Sequence, residues 1–398
     1  MQGLRYDSLS CRYTASQLAG VSFTVVDVGC SGGIYYIWRL FDQNLVAFGF
    51  DPNVDECKRL TAEEHLPGVQ YIPAFVGLPA NHPIALRRGD NTCLQRNPWD
   101  RLSVARSLAV RDKLKPAMSN AELTALNQWQ RTTLADPDTP IYLPDFFRER
   151  AIADIDFIKI DVDGPDFDIL QTLADSLIEL NVLAVGLEVN FYGSDDSTGH
   201  TFHNTDRFMR GLGFVLAHLA IRPYSLAALP ARYQYDRPAE SFTGRPYQGD
   251  ALYVRDWGDP AEAAKQNLSP AKMAKLTAIF AAFGLYDAAA EVVLTHRAGL
   301  TAILDPVRLL DLLCAEAQGD QEPKLSYAAY MAAFERDDDL FYTGRKTANE
   351  PEAAQSPGAD GTAVEQDDGC SPSFSRDIGS ASQPSGIIRG LYRRLRKR

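Results

Sequence analysis

The chain has 398 residues, and 40 Lys and Arg against 52 Asp and Glu give a net charge of −12. This acidic balance argues against a general nucleic-acid coat protein, and no apolar run reaches the roughly 20 residues that cross a bilayer. The length favours two domains plus a tail. The first twenty residues contain no apolar h-region and the six cysteines form no C-x-x-C pair, so we expect a cytoplasmic, reducing location without a secretory signal.

Strands and helices alternate along residues 21–257. The apolar, β-branched run 23–28 ends at Gly29 and predicts a strand buried on both faces. Further strands are predicted at 45–50, 69–75, 155–162, 182–189, 214–220 and 251–254. Helical patterns separate the early strands, so the fold class we predict is α/β, a doubly wound Rossmann-like sheet.

Two segments interrupt or precede this pattern. Residues 1–20 are an N-terminal extension. Between about 78 and 153 no buried strand is evident, and Ser119 and Glu122 are spaced as a helix capping box. We interpret this stretch as an insertion that covers the site, and a decorated surface loop is the alternative.

The remainder of the chain has three parts. Residues 266–341 predict a small all-α appendage, because only one copy of a helical-hairpin turn is present and solenoids need at least three. Residues 342–386 are rich in Ser, Pro, Gly and acids, which predicts disorder. Residues 387–398 combine apolar residues at helical spacing with arginines, as in an amphipathic segment on an anionic membrane. RNA contact and an end without a role are the alternatives.

Acidic and small residues end the predicted strands, which is the edge where ligands bind in open α/β sheets. They are Asp27 and Gly29, Asp51, Phe75, Asp161 and Asp163, and Glu188 and Asn190. Helix capping is the ordinary role of such residues, and we prefer it for Asp166 and Asp168.

The turn VDVGCSGG at 26–33 differs from a dinucleotide fingerprint, because Ile34 stands at the position of the third glycine. Instead, Asp27 precedes the first glycine, where a carboxylate suits a cofactor with a positively charged amino-acid end. Asp51 follows Gly29 by 22 residues and can accept both hydroxyls of a ribose. Together these features indicate S-adenosylmethionine.

Four stretches resemble the FkbM-type methyltransferases. They are VVDVGCSGGIYY (25–36), FGFDPN (48–53), AFVG (74–77) and IDFIKIDVDGPD (155–166). The last is the most specific, since family members there have D-F-I-K-I-D-V-E-G-x-E. In this chain Asp51, Asp163 and Asp166 stand in place of Glu, and Cys30-Ser31 replaces an Ala-Asn-like pair. The resemblance covers roughly 23–254.

The resemblance implies an S-adenosylmethionine-dependent O-methyltransferase domain over residues 21–257. Its acceptor would be a hydroxyl of a small molecule or a glycan. The cofactor contacts that it implies are Asp27, Gly29, Gly33 and Asp51, to which we add Phe75 at the end of the third strand.

A hydroxyl acceptor benefits from a general base or from a metal that lowers its pKa. We predict Asp161, Glu188 and His203 as catalytic residues. Asp206 follows His203 by three residues and could orient its ring, and capping or core packing is the alternative role for His203. His200 lies in a polar loop, where we expect it to be solvated. The three catalytic candidates could also hold Mg, but their spacing matches no metal motif, so no metal site is assigned.

Gln248 and Asp250 flank the last strand and are candidates to contact a polyhydroxylated acceptor, with turn backbone as their alternative partner. Two other functions are alternatives: a scaffold protein that keeps the fold without turnover, and an NAD-dependent oxidoreductase, which the missing third glycine disfavours. We expect no nucleic-acid partner, and a location in the cytoplasm with peripheral contact to the inner membrane surface through 387–398. The identity of the acceptor and the oligomeric state do not follow from the sequence.

Overall fold

A seven-stranded sheet forms the centre of the computed structural model, which describes residues 4–5, 7–79, 81–84, 133–162, 165–191, 197–224, 244–264, 268–320 and 322–337. The strands are β1 Phe23–Val28, β2 Leu45–Asp51, β3 Val69–Pro73, β4 Phe157–Ile160, β5 Ala184–Asn190, β6 Val215–Tyr224 and β7 Arg245–Val254. Their order is β3-β2-β1-β4-β5-β7-β6. Strand β7 runs in the direction opposite to that of the other six strands of this sheet. All seven predicted strands are present, and the doubly wound α/β fold is confirmed.

Helices cover both faces of the sheet. In the described part of the chain they are α1 Leu9–Gln17, a 3-10 segment Tyr36–Asn44, α2 Val54–Glu63, α3 Leu143–Glu149, α4 Asp166–Thr172, α5 Ala174–Glu179, α6 Phe202–Gly211, α7 Pro260–Ala263, α8 Pro270–Ala282, α9 Tyr286–Thr295, α10 Arg297–Leu300, α11 Pro306–Ala317 and α12 Tyr327–Arg336. Side-chain caps explain several starts. Asn53 Oδ1 accepts from Glu56 N at the start of α2, and Ser269 caps α8.

Strand β1 is buried on both faces, as its apolar run predicts. Phe23 and Val25 belong to one hydrophobic core, while Val26 and Val28 belong to the other. This alternation follows from the two-residue period of a strand. The Phe23 ring stacks on that of Phe41 with centroids 3.9 Å apart. Because both faces of β1 are covered, its carboxyl end is the part left to meet a ligand.

The predicted appendage at 266–341 and the predicted extension at 1–20 do not stand apart from the sheet. Met273, Leu276 and Phe280 of α8 lie in the same core as Phe23 and Trp38. Helix α1 contacts α8 and α11. These helices are one layer on one face of the sheet. Eleven of the thirteen residues of α8 are buried, including two lysines, and the sequence does not show what covers the helix.

A buried ion cluster fastens α8 to the amino end of β4. Asp156 is fully buried and accepts from Lys272 Nζ at 2.7 Å, from Lys275 Nζ at 2.9 Å and from Thr24 N at 2.8 Å. Lys272 Nζ also donates to Asp154 Oδ1 at 2.8 Å. The cluster lies at the edge of the sheet opposite to the ligand-binding edge, so its role is structural.

The end of the predicted insertion at 78–153 belongs to the core. The ring of Phe146, in α3, meets Phe48 and Phe50 edge-on, with centroids 5.4 and 5.1 Å apart. Ile141 forms a parallel bridge with Val76 beside β3.

Other predictions concern residues that the structure does not describe. The Ser119–Glu122 capping box, residues 342–386 and residues 387–398 lie outside the described residues, so the disorder and membrane predictions stay predictions. Among the helices that the structure describes, none has the length and apolar character to cross a membrane.

Candidate active site

The candidate site lies where the carboxyl ends of β1, β2, β4 and β5 meet. The order of the strands reverses between β1 and β4, since β2 follows on one side and β4 lies on the other. Such a switch point opens a crevice above the sheet, where ligands of α/β proteins bind. Gly29, Asp51, Asp161 and Glu188 all lie at this edge, at the ends predicted from the sequence.

The glycine turn after β1 is tight and needs its first glycine. Gly29 N and Cys30 N both donate to Phe50 O, at 2.9 and 3.0 Å, which ties the turn to β2. Gly29 has φ +84°, and a Cβ at this position would collide with the backbone oxygen of Asp161. Only glycine fits at this close approach of β1 to β4.

Side chains from α2 and β3 hold the rest of the turn. Glu56 Oε1 accepts from Gly32 N at 3.1 Å, and Arg59 fixes the same carboxylate through two bonds of 2.6 and 2.9 Å. The Tyr71 hydroxyl lies 3.4 Å from Ile34 N. The backbone of the turn is therefore held in place by the protein alone.

Asp51, the last residue of β2, is buried and only partly used by the protein. Its Oδ1 accepts from Asn53 N at 2.8 Å, and the carboxylate also accepts from Ser31 N. Burial raises the pKa of Asp51, and these two amides act in the opposite direction. A carboxylate offers about four acceptor positions, so capacity remains for the two hydroxyls of a ribose.

Phe75 lies two residues beyond β3, next to the end of β2. Ala74 N donates to Asp51 O at 3.1 Å, and Phe75 O accepts from Ile141 N at 2.8 Å. The Phe75 side chain is half-buried. It is close along the backbone to Asp51, and its contact with a cofactor stays a prediction.

Asp27 has a partner that the sequence analysis missed. Lys159 Nζ, on β4, lies 3.0 Å from Asp27 Oδ1, 2.9 Å from Gly29 O and 3.5 Å from Asp161 Oδ2. Burial would lower the pKa of Lys159, but the carboxylates of Asp27 and Asp161 raise it well above its ordinary value. Burial likewise raises the pKa of Asp27, against the effect of Lys159. When all three groups are ionised, they carry one net negative charge between the ends of β1 and β4.

The predicted catalytic residue Glu188 is engaged in an ion pair. Arg222 Nη2, from β6, lies 2.6 Å from Glu188 Oε1 and 3.4 Å from Asp250 Oδ1. All three side chains are buried. Beside them, Gln248 Oε1 is buried and has no hydrogen-bond partner among the described residues. These four residues form a polar wall across β5, β7 and β6.

The exposure of His200 and His203 is the reverse of what the sequence predicts. His203 is exposed, and Asp206, its predicted partner, instead accepts from Arg210 Nε at 2.8 Å and from the Tyr253 hydroxyl at 3.4 Å. His200 is not solvated: it is 8% exposed, and its Nε2 lies 3.0 Å from the backbone oxygen of Glu188. The sequence around His200 is polar, and nothing in it shows that the chain folds back onto β5.

The three catalytic candidates do not assemble into a metal site. Among the described residues, no group of three or more His, Cys, Asp and Glu side chains could hold a metal ion. Asp161 instead lies beside Lys159, and Glu188 beside Arg222.

Comparison with known proteins matches one segment of the chain to a family. Residues 48–216 match the model of the methyltransferase FkbM domain. This segment is an FkbM-family methyltransferase domain. The match includes Asp51, Asp161, Glu188 and His200, while the glycine turn after β1 precedes it. The match supports S-adenosylmethionine-dependent methyltransferase activity, as the resemblance implies. No curated protein matches the chain.

Solved structures similar to the chain include methyltransferases of low identity. The TehB-like SAM-dependent methyltransferase from Corynebacterium glutamicum ATCC 13032 Kitasato has 11% identity over 63% of this chain and 89% of its own, with a TM-score of 0.26. A SAM-dependent methyltransferase from Aquifex aeolicus has 8% identity over 63% and 93%, with a TM-score of 0.25. Magnesium protoporphyrin IX methyltransferase from Synechocystis PCC 6803, solved with bound SAM, has 8% identity over 63% and 77%, with a TM-score of 0.26. At these TM-scores the family assignment rests on the FkbM match.

The site of this FkbM domain fits S-adenosylmethionine. Asp51 has acceptor positions left for ribose hydroxyls, and the cluster of Asp27, Lys159 and Asp161 leaves one net negative charge for an ammonium or a sulfonium. Gly29 approaches the backbone of Asp161 closely, so the glycine turn lies at the same carboxyl edge of the sheet. These residues would hold the cofactor between the ends of β1, β2 and β4.

Proposed function

We propose that the protein transfers the methyl group of S-adenosylmethionine to a hydroxyl of a small molecule or a glycan. The observation that carries this proposal is the polar wall formed by Glu188, Arg222, Gln248 and Asp250. Among the described residues, none donates to the buried carbonyl oxygen of Gln248, a condition that normally costs free energy. A hydroxyl supplies such a donor, and it brings no charge into a buried site.

The chain's contribution to this reaction is to bind and to orient. S-adenosylmethionine, when bound, supplies a methyl group on a positively charged sulfur, and its transfer to a hydroxyl yields an ether, a neutral thioether and a proton. Asp51 holds the ribose, and the negative charge shared by Asp27, Lys159 and Asp161 favours the cationic end of the cofactor. Placing two reactants in contact in this way lowers the barrier by removing the entropy cost of their encounter.

The two alternative functions are less well supported. An NAD-dependent oxidoreductase would use a third glycine where Ile34 stands, and the FkbM match favours a methyltransferase instead. A scaffold without turnover gives no reason for the buried oxygen of Gln248, to which no residue in the described part of the chain donates.

The test is transfer of labelled methyl groups by the full-length protein. The acceptor panel contains polyhydroxylated compounds, free sugars and glycans, together with amines and carboxylic acids as competing classes. We expect label in a product that resists mild base, as an ether does and a methyl ester does not. In Gln248→Leu we expect a higher KM for the acceptor and unchanged affinity for the cofactor. Label that enters only amines or carboxylates would reject the hydroxyl acceptor, and cofactor binding without transfer to any class would favour the scaffold.

A further inference from the structure

One ring nitrogen of His200 is fixed by the backbone. Its Nε2 lies 3.0 Å from the backbone oxygen of Glu188, and the ring is almost completely buried. A carbonyl oxygen can only accept a hydrogen bond, so Nε2 must carry the hydrogen. In the neutral ring the other nitrogen, Nδ1, is then unprotonated and carries the basic lone pair.

In the described ranges, two polar side chains face this nitrogen. Asn190 Nδ2 lies 3.4 Å from Nδ1, and Asp166 Oδ2 lies 3.9 Å from it. A contact of 3.4 Å is long for a hydrogen bond, so an incoming hydroxyl can replace the amide of Asn190. The Asp166 carboxylate is 1% exposed and is held through its Oδ1, which accepts from Val162 N at 2.9 Å. It would stabilise a positive charge on the ring at ion-pair distance.

His200, Asp166 and Asn190 lie at the carboxyl ends of β4 and β5, next to the residues proposed to bind the cofactor. Asp166 begins α4, the helix that follows β4 after five residues, and Asn190 is the last residue of β5. Strands β4 and β5 are neighbours and parallel, so their carboxyl ends lie at the same edge as Asp51 and the glycine turn. His200, which contacts the ends of both strands, therefore lies at the same edge of the sheet as the cofactor-binding residues.

We propose that His200 is the general base of the reaction and that Asp166 is its positioning residue, an inference that rests on the proposed methyl transfer to a hydroxyl. Nδ1 takes the proton of the acceptor hydroxyl, and the electron pair of the broken O–H bond stays on oxygen, which gains the methyl group. The electron pair of the broken carbon–sulfur bond remains on sulfur, and Nδ1 later releases its proton to water. A carboxylate acceptor is already ionised at neutral pH and needs no base, so a base at this position fits a hydroxyl acceptor.

The first test examines the ring without any turnover. In the full-length protein labelled with ¹⁵N-histidine, long-range ¹H–¹⁵N spectra distinguish the two neutral tautomers. We expect His200 to be protonated at Nε2 and unprotonated at Nδ1. The signal is assigned by its loss in His200→Gln or, if that variant does not fold, by its shift in Asp166→Asn. A ring protonated at Nδ1 would overturn the proposal, because no basic lone pair would then face Asp166.

The second test uses the acceptor found in the labelling screen. We expect His200→Gln to lower kcat at least a hundredfold, the usual contribution of a general base, with the Kd for S-adenosylmethionine unchanged. Asp166→Asn keeps the oxygen that accepts from Val162 N but removes the charge, so we expect kcat to fall about tenfold with KM unchanged. His65→Gln is the matched control, since His65 is exposed and remote from the carboxyl edge.

The outcomes separate this inference from the proposed function. Hydroxyl methylation that continues in His200→Gln at the kcat of the wild type would overturn the role of His200 and leave the proposed function standing. Absence of hydroxyl methylation in the wild-type protein would reject the proposed function itself. A fall in kcat of His65→Gln equal to that of His200→Gln would also contradict the assignment, because it would mark a general loss of structure.

Discussion

The contribution of Asp51 to cofactor binding can be tested by changing one atom. In Asp51→Asn the side chain keeps its shape and retains one carbonyl oxygen, which can still accept from Asn53 N. The second oxygen becomes an NH₂ group, which cannot accept from a ribose hydroxyl. It also places a donor near the backbone amide of Ser31, which in the wild-type protein donates to the carboxylate.

The expected loss follows from the bonds that the carboxylate can make. A hydrogen bond to a charged group contributes roughly 1.5–3 kcal/mol, and about two acceptor positions remain for the ribose. We expect a net loss equal to at least one such bond, about 1.4–2.8 kcal/mol. This corresponds to binding of S-adenosylmethionine that is about ten- to a hundredfold weaker.

Calorimetric titration of the full-length protein with S-adenosylmethionine and S-adenosylhomocysteine measures this loss directly. Asp55→Asn is the matched control, because it removes the same charge from an exposed position in the first turn of α2. We expect its affinity to equal that of the wild type. An Asp51→Asn variant with wild-type affinity and an intact thermal transition would refute the assignment of Asp51 to the ribose.

Three further predictions concern the stability of the fold. Although burial alone would raise it, the paired bonds from Arg39 lower the pKa of Glu64 to about 2. Glu64→Gln should therefore lower the free energy of unfolding by about 1–2 kcal/mol at neutral pH, allowing for solvent screening. The denaturant midpoint of the variant should converge on that of the wild type as the pH falls from about 4.5 towards 2. A difference in midpoint that persists at low pH would contradict this. Asp156→Asn leaves two buried ammonium groups short of a partner, so chemical denaturation should show a loss of about 3–5 kcal/mol, whereas a loss below 1 kcal/mol would show that the cluster is not needed. In Gly29→Ala the added Cβ collides with the backbone oxygen of Asp161, and the residue also keeps an unfavourable φ. Gly20→Ala, with φ +77° and open space around it, adds only the strain of φ, about 1–2 kcal/mol of unfolding free energy, so we expect the larger loss in Gly29→Ala. Equal losses in the two variants would mean that the approach of β1 to β4 can relax.

The elements of the sheet were readable from the sequence because their signals are local. Each strand is a short apolar run that a turn residue ends, and burial on both faces makes such runs nearly continuous. Gly29, Asp51 and Asp161 could be placed for the same reason, since they end strands and parallel strands end at one edge. The FkbM resemblance lies in the same stretches, and the family match over 48–216 confirms it.

Other features depended on contacts between residues distant in the chain. Lys159 reads as one more position in a strand until β4 pairs with β1 and brings it to Asp27. Helices α1 and α8 pack against each other although they are distant in the chain. The sequence of neither helix indicates that the other is its partner.

The histidines show most clearly what the amino-acid order determined and what tertiary structure decided. The sequence determined which residue types follow each strand, because hydrophobic period and turn chemistry act over a few residues. It could not determine that His200 folds under the end of β5 while His203 points to solvent, since both lie in one polar stretch three residues apart. That choice depends on where Glu188 O and Asp166 stand in space, and only the packed sheet fixes those positions.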